Sequence, residues 1–164
     1  MKKWITGMVL MIWMAVIFLF SAQTGDDSSE VSHSAAYQIV KWQDQLFQQD
    51  KTEKELVKQA EALQLVVRKG AHMSEYALLA ILLVLHLNCY RFNNKQVLLS
   101  SWILTTCYAV SDEFHQLFVP GRAGMFTDVC IDSAGGLLGI AWTALLWKCL
   151  CVRREKELVR SGTD

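Results

Sequence analysis

The stretch Ser111-Asp112-Glu113-Phe114-His115-Gln116-Leu117-Phe118-Val119-Pro120-Gly121-Arg122 decides how the chain is organised. It places two carboxylates, an imidazole, an amide and a guanidinium between two apolar runs, at 97–110 and 129–150. The polar stretch therefore lies at or inside the boundary of a hydrocarbon layer. An ionisable group at the centre of a membrane helix costs about 2.5–3.5 kcal/mol on insertion scales, so such groups mark a candidate functional site.

Apolar residues make up 52% of the 164 residues and are gathered into blocks instead of being spread at helical or strand spacing. A membrane helix needs about 20 mostly apolar residues to cross a hydrocarbon core about 30 Å thick. The sequence therefore predicts an all-α membrane protein, a single domain over residues 1–164 built as a bundle of four transmembrane helices. The predicted spans are residues 4–22, 70–89, 97–118 and 127–150.

Residues 23–69 are predicted to form a loop between the first two spans. Its acidic start at 26–30 has few apolar groups and is expected to be flexible. Apolar residues then recur at helical spacing and predict an amphipathic helix at about 53–67; they are Leu56, Ala60, Leu63 and Val67. The first apolar block also permits a cleaved signal peptide, but bulky Phe20 stands where a small residue is needed, which favours an uncleaved span.

The distribution of basic residues predicts the orientation. Under the positive-inside rule both termini and the 151–164 tail are cytoplasmic, and residues 21–69 and 119–127 are external. The residues on the predicted cytoplasmic side are Lys2, Lys3, Arg91, Lys95, Lys148, Arg153, Arg154, Lys156 and Arg160. The net charge of zero gives no overall attraction to nucleic acid, so no nucleic-acid partner is predicted. The apolar blocks predict the lipid bilayer as the partner.

In this orientation the polar ends of all four spans meet on the external side. Glu75, Asp112 and Asp132 lie at one predicted depth, about 8–9 Å below the outer boundary at ~1.5 Å per helical residue. The spacing predicts one shared pocket. Its candidate binding residues are Ser21, Gln23, Arg68, Lys69, His72, Glu75, Tyr76, Asp112, Glu113, His115, Gln116, Arg122, Asp128 and Asp132.

The last span carries a stripe in which the acids and two glycines share one face. Asp128, Asp132, Gly135 and Gly139 follow one another at helical spacing. Glycines four residues apart allow a neighbouring helix to approach closely. The stripe therefore predicts that these acids face the interior of the bundle.

Four kinds of chemistry are open to such a cluster. Polar packing between helices is one, although each interhelical polar bond contributes only about 0.6 kcal/mol. Acid–base chemistry is the second, with Asp112, His115, Asp132 and Glu75 as candidate catalytic residues. Recognition of a phosphate or carboxylate by the basic residues is the third. A nitrogen–oxygen metal shell is the fourth, but no established ligand spacing occurs, so no metal or cofactor is predicted.

Several motifs together resemble the VanZ-like family of bacterial membrane proteins. They are Phe20-Ser21-Ala22-Gln23-Thr24, the run from Arg68 to Tyr76, Asp112-Glu113-Phe114-His115-Gln116, Val119-Pro120-Gly121-Arg122, and Asp128 with Asp132, Gly135, Gly136 and Gly139. The family takes its name from a protein linked to resistance to teicoplanin, a lipid-bearing glycopeptide antibiotic.

The resemblance implies an integral protein of the bacterial plasma membrane and cell envelope, with lowered susceptibility to glycopeptide or lipoglycopeptide antibiotics. The expected ligand is a lipid-linked envelope precursor or the lipoglycopeptide, which the pocket would bind or modify. The family brings no established catalytic mechanism, so whether the protein is an enzyme stays open. Two alternatives remain: a membrane-embedded acid–base or metal-assisted transferase or hydrolase, and a structural membrane protein with a polar packing cluster.

Overall fold

A computed structural model describes the backbone of residues 1–161 and the side chains of residues 1–149. The described chain contains five helices and no strand: α1 Lys2–Ser21, α2 Gly25–Phe47, α3 Glu53–Leu87, α4 Asn94–Gln116 and α5 Phe126–Ser161. The prediction of an all-α chain is confirmed. Of the predicted tail at 151–164, residues 162–164 lie outside the described part. The division into a single domain stays a prediction.

Three of the described helices, not four, are long and apolar enough to cross a membrane: Lys2–Ser21, Glu53–Leu87 and Phe126–Cys149. The predicted third span, at 97–118, corresponds to α4, and this helix is not apolar enough to be counted with the other three. The reason is the inward face of this helix, where Ser101, Thr105, Asp112 and Gln116 are buried against its neighbours. These side chains lower the apolar content of α4 although its outward face remains hydrophobic.

The predicted loop at 23–69 is mostly helical. Residues 26–30 belong to α2 instead of a flexible segment, and the amphipathic helix at 53–67 is continuous with the span that was predicted to begin at residue 70. The 35 residues of α3 extend about 52 Å at ~1.5 Å per residue. Gly70 does not interrupt it.

Small residues explain why α2 forms. Gly25, Ser28, Ser32 and Ala36 recur at helical spacing and are buried, whereas the acidic residues of the first turn are exposed. The Thr24 hydroxyl caps the helix by accepting a hydrogen bond from the Asp27 amide at 3.2 Å. The buried face packs against the first half of α3, and the acids lie on the other side of the helix.

The closest helix contact joins α3 and α5. A Cβ atom on Gly135 would collide with the carbonyl oxygen of Met73, and one on Gly139 would collide with that of Ala77. The close approach predicted from the glycine stripe is confirmed. It aligns the first half of the α5 span with the part of α3 that follows His72.

Two hydrogen bonds fix the direction of the helices. Thr6 near the start of α1 lies 3.0 Å from His86 Nδ1 near the end of α3, so the two helices are antiparallel. Gln116 at the end of α4 donates to the Ser21 hydroxyl at the end of α1, at 3.1 Å. The end of α1, the end of α4 and the start of α5 therefore lie together beside the middle of α3. We call this the polar end of the bundle.

Replacing Gly139 with alanine is expected to destabilise the protein, because the new methyl group would push the α3 backbone away from α5. Overpacking of this kind costs about 1–3 kcal/mol. Gly70→Ala is the matched control, since nothing lies within 4 Å of its missing Cβ and alanine is favoured over glycine inside a helix. Thermal unfolding of the detergent-purified variants measures the difference. Equal melting temperatures for the two variants would contradict the close contact.

Candidate functional site

The polar end contains a cavity of about 200 Å³ between α3, α4, α5 and the loop at 117–125. We call it the inner cavity. Both ionic and apolar side chains contribute to its wall. The lining residues are Leu65, Arg68, Lys69, His72, Glu113, Gln116, Gly121, Arg122, Ala123, Met125, Asp128, Ile131 and Asp132.

A second cavity of about 250 Å³, the outer cavity, lies between the end of α1, the start of α2 and α3. Its wall is partly apolar. It is lined by Phe20, Gln23, Ser28, Val31, Ser32, Ala35, Val67, Arg68, Ala71, His72, Glu75 and Arg122. Arg68, His72 and Arg122 line both cavities. These three side chains form the boundary between the two spaces.

The loop at 117–125 is held in place by backbone contacts and one guanidinium group. Arg122 donates from Nε to the carbonyl oxygen of Gln23 at 3.0 Å and from Nη2 to that of Phe20 at 3.2 Å. The Gly25 amide donates to the Pro120 carbonyl at 3.0 Å, and Gly121 adopts a φ of 72°, which a glycine tolerates without strain. The loop is thereby attached to the junction between α1 and α2.

Some of the polar side chains satisfy one another. Lys69 Nζ forms an ion pair with Asp128 Oδ1 at 2.7 Å, between α3 and α5. Glu113 Oε2 accepts a hydrogen bond from the Met125 amide at 2.8 Å. These contacts join the helices and the loop, and they account for part of the cluster as polar packing.

Two ionisable side chains of the inner cavity, Asp132 and Arg68, are left without partners. Asp132 is 1% exposed, and neither of its carboxylate oxygens accepts a hydrogen bond within the described part of the chain. No ion pair or hydrogen bond to a described residue engages Arg68 either. Burial of an unpaired polar group is costly, so a carboxylate in this position is suited to a ligand that donates hydrogen bonds.

The two arginines lie close enough to affect each other. Burial lowers the pKa of the Arg122 guanidinium, and the positive charge of Arg68 lowers it further, while Asp112 and Glu113 oppose the shift. Arginine remains protonated despite such shifts. Two neighbouring cations of this kind favour an anion between them.

The structure brings together ten of the fourteen predicted binding residues around the two cavities. Gln23 and Glu75 line the outer cavity only. The inner cavity is lined by eight of the predicted residues, of which three also line the outer cavity: Arg68, Lys69, His72, Glu113, Gln116, Arg122, Asp128 and Asp132. The predicted site residues are thus divided between two spaces instead of sharing one pocket.

Four predicted binding residues do not line either cavity. Tyr76 is fully buried in an apolar cluster. Asp112 is buried beside Gln116, whose Nε2 lies 3.5 Å from Asp112 Oδ2. The same amide donates a hydrogen bond to the hydroxyl of Ser21, which also lines neither cavity. The His115 ring packs against Phe18 of α1 in a tilted arrangement, with a centroid distance of 4.6 Å. Of the candidate catalytic residues, Asp132 lines the inner cavity and Glu75 lines the outer cavity.

The sequence interpretation missed the contribution of α2. Ser28, Val31, Ser32 and Ala35 line the outer cavity, in a segment expected to be loop. Small residues at helical spacing between Gly25 and Ala36 were the signal for a packed helix. The acidic composition of the same segment hid this pattern, because acids and small residues alternate along it.

The largest of the cavities described here lies at the opposite end of the bundle. It is an open groove of about 600 Å³ lined mainly by apolar groups: Lys3, Trp4, Gly7, Met8, Leu10, Met11, His86 and Tyr90. It offers few groups for chemistry. Among the residues that the structure describes, no three His, Cys, Asp or Glu side chains are grouped to hold a metal ion.

Comparisons with known proteins identify a family. The family model described as VanZ/LLP1 matches residues 6–148, from the first turns of α1 to the end of the apolar part of α5. The match includes every residue that lines the inner and outer cavities. No curated protein and no solved structure matches the chain significantly.

Replacing Arg122 with lysine is expected to loosen the loop at 117–125, because an ammonium group cannot reproduce the two directed guanidinium hydrogen bonds. Hydrogen–deuterium exchange should increase in peptides covering this loop. Arg91→Lys, at an exposed turn, provides the control with the same chemical change. Unchanged exchange in the Arg122 variant would show that its contacts do not hold the loop.

Proposed function

The chain belongs to the VanZ/LLP1 family, and from this membership we propose that it is a multi-pass protein of the bacterial plasma membrane that binds a lipid-linked component of the cell surface. The site is the pair of cavities at the polar end. Arg68 and Arg122 hold the anionic group of the ligand. Binding, or modification, of this component lowers susceptibility to glycopeptide and lipoglycopeptide antibiotics such as teicoplanin.

The observation that carries this proposal is the pair of arginines at the boundary of the two cavities. Guanidinium groups bind phosphate and carboxylate through paired, directed hydrogen bonds. Arg122 has a nitrogen, Nη1, that is not used in its hydrogen bonds to Phe20 and Gln23, and Arg68 has no partner among the described residues. An anion bound here would satisfy both cations.

The size of the site favours a lipid head group over an antibiotic as ligand. The inner cavity has a volume of about 200 Å³. Pockets for drug-sized molecules measure about 300–1,000 Å³. A glycopeptide is much larger than such molecules, whereas a lipid phosphate with a small head group is smaller. Reduced susceptibility would then follow from a change in the surface component and not from capture of the antibiotic.

The membrane placement rests on the three apolar helices and on the path of the chain between them. Since α3 ends at the far end and α5 starts at the polar end, α4 must return along the bundle. We propose that α4 crosses the membrane with them. About 20 residues of α3 suffice for the crossing, so its first part projects on the external side together with α2.

A membrane-embedded enzyme is the second candidate function, and Asp132 is the observation that favours it. Its unpaired carboxylate lies beside the space proposed for the ligand and could accept a proton from a hydroxyl group there.

A purely structural polar cluster is the third candidate function. It would explain the pairs Lys69–Asp128 and Glu113–Met125, but not the unpaired Arg68 and Asp132.

The proposed orientation predicts the result of reporter fusions. A periplasm-active reporter is expected to be active after Gln49, between α2 and α3, and inactive after Arg91 or at the C-terminus. A cytoplasm-active reporter should show the opposite pattern. An external signal at Arg91 would reverse the whole placement, because the polar end would then face the cytoplasm.

The proposed recognition predicts that the purified protein retains a phosphate-bearing lipid. Arg68→Gln should reduce the retained amount about tenfold, since hydrogen bonds to charged groups contribute about 1.5–3 kcal/mol. The same variant should lose its effect on lipoglycopeptide susceptibility while accumulating normally.

Arg91→Gln is the matched control for this experiment, and lipid mass spectrometry with susceptibility assays supplies the two measurements. If the Arg68 variant retains the lipid and the phenotype, anion recognition at this site is wrong. If neither variant nor the parent protein retains any lipid, the proposed ligand class is wrong.

A further inference from the structure

The ionisable groups left in the inner cavity after internal pairing include both cations and an acid. Lys69 and Asp128 neutralise each other, and Glu113 is bound by the Met125 amide. The groups that remain are the guanidinium of Arg68, part of that of Arg122, the imidazole of His72 and the carboxyl group of Asp132. A simple anion would satisfy the arginines but would leave the buried carboxyl group of Asp132 without a hydrogen-bond partner, which is unfavourable.

The arrangement of these groups along the site is ordered. The arginines stand at the boundary between the cavities, whereas Asp132 lines only the inner cavity. The outer cavity continues from the same arginines toward apolar side chains of α1, α2 and α3, including Phe20, Val31 and Val67. The acid of the inner cavity is thus separated by the arginines from an outer cavity whose wall is partly apolar and partly polar, the polar part including Ser28, Ser32 and Glu75.

We propose that the two cavities form one site for a lipid phosphate whose head group carries a hydrogen-bond donor, an ammonium or hydroxyl group. The donor binds Asp132 in the inner cavity, the phosphate lies between Arg68 and Arg122, and the lipid chain leaves through the outer cavity. This inference rests on the proposed function and specifies the class of ligand. The unpaired Arg68 and Asp132 then each have a complementary group on the ligand.

Asp132 is accordingly the residue that determines head-group specificity. A site built to hydrogen-bond a donor rejects an analogue that lacks it, because the buried acceptor is then left unpaired. Phosphatidylethanolamine and phosphatidylcholine form a matched pair of probes. Both carry one phosphate and one positive nitrogen, but only the ethanolamine nitrogen has N–H groups to donate.

The test is competition for a fluorescent phosphatidylethanolamine bound to the full-length protein in detergent. The unlabelled competitors are phosphatidylethanolamine, phosphatidylcholine and inorganic phosphate. For the parent protein we expect the ethanolamine lipid to compete about tenfold better than the choline lipid. Asp132→Asn should weaken this preference, because its amide keeps only one acceptor oxygen. The control Asp26→Asn, on the exposed first turn of α2, should retain it.

A substitution in the outer cavity distinguishes a lipid ligand from free inorganic phosphate. Ala35→Trp would fill part of that cavity and should weaken both lipids about tenfold, while leaving any competition by inorganic phosphate unchanged. Competition by inorganic phosphate as strong as that by the lipids would show that the ligand is free phosphate, and it would overturn the lipid assignment.

The remaining outcomes distinguish the inference from the proposed function. Equal competition by the two lipids in the parent protein would overturn the role of Asp132 while leaving lipid-phosphate binding intact, and this comparison does not depend on whether the Asp132 variant folds. No saturable binding of either lipid would overturn the proposed function itself.

Discussion

The contact between α3 and α5 is the constraint on which the rest of the structure depends. Gly135 and Gly139 lie directly against the backbone carbonyls of Met73 and Ala77, a distance that no larger residue permits. His72 directly precedes this contact on α3, and Asp132 lies one turn before it on α5. The close packing therefore determines how near the ionic side chains of the two helices lie, and it sets the width of the inner cavity between them.

Polar groups in this bundle serve two different purposes, which their partners distinguish. Lys69 with Asp128 and Gln116 with Ser21 satisfy each other across helices, and each such contact is individually weak in a membrane protein. Arg68 and Asp132 have no such partners in the described part of the chain, although Asp132 is buried. The first kind of group holds the helices and loop around the cavities, and the second kind is available to a ligand.

The sequence predicted much of the helical part because apolar blocks and glycine spacing act locally. The blocks located α1, the second half of α3 and α5, and the stripe through Asp132, Gly135 and Gly139 predicted which face of α5 is inside. The helix at 53–67 was predicted, but its continuity with the following span and the whole of α2 were not recovered. Both helical segments form by packing on each other, and the acidic residues around Ser28 and Ser32 suggested a loop. The division of the site also escaped prediction, because which side chains line which cavity depends on the position of α2 and of the loop at 117–125.

Photoaffinity labelling tests the central claim, that a lipid phosphate occupies the polar end, most directly. A phosphatidylethanolamine with a diazirine on its chain next to the glycerol group would be irradiated with the protein in nanodiscs, and the labelled residues would be located by mass spectrometry. The proposed site predicts labels at the wall of the outer cavity, within residues 20–35 and 65–75. Labels confined to the open groove at the other end of the bundle, within residues 3–11 and 86–90, would contradict it.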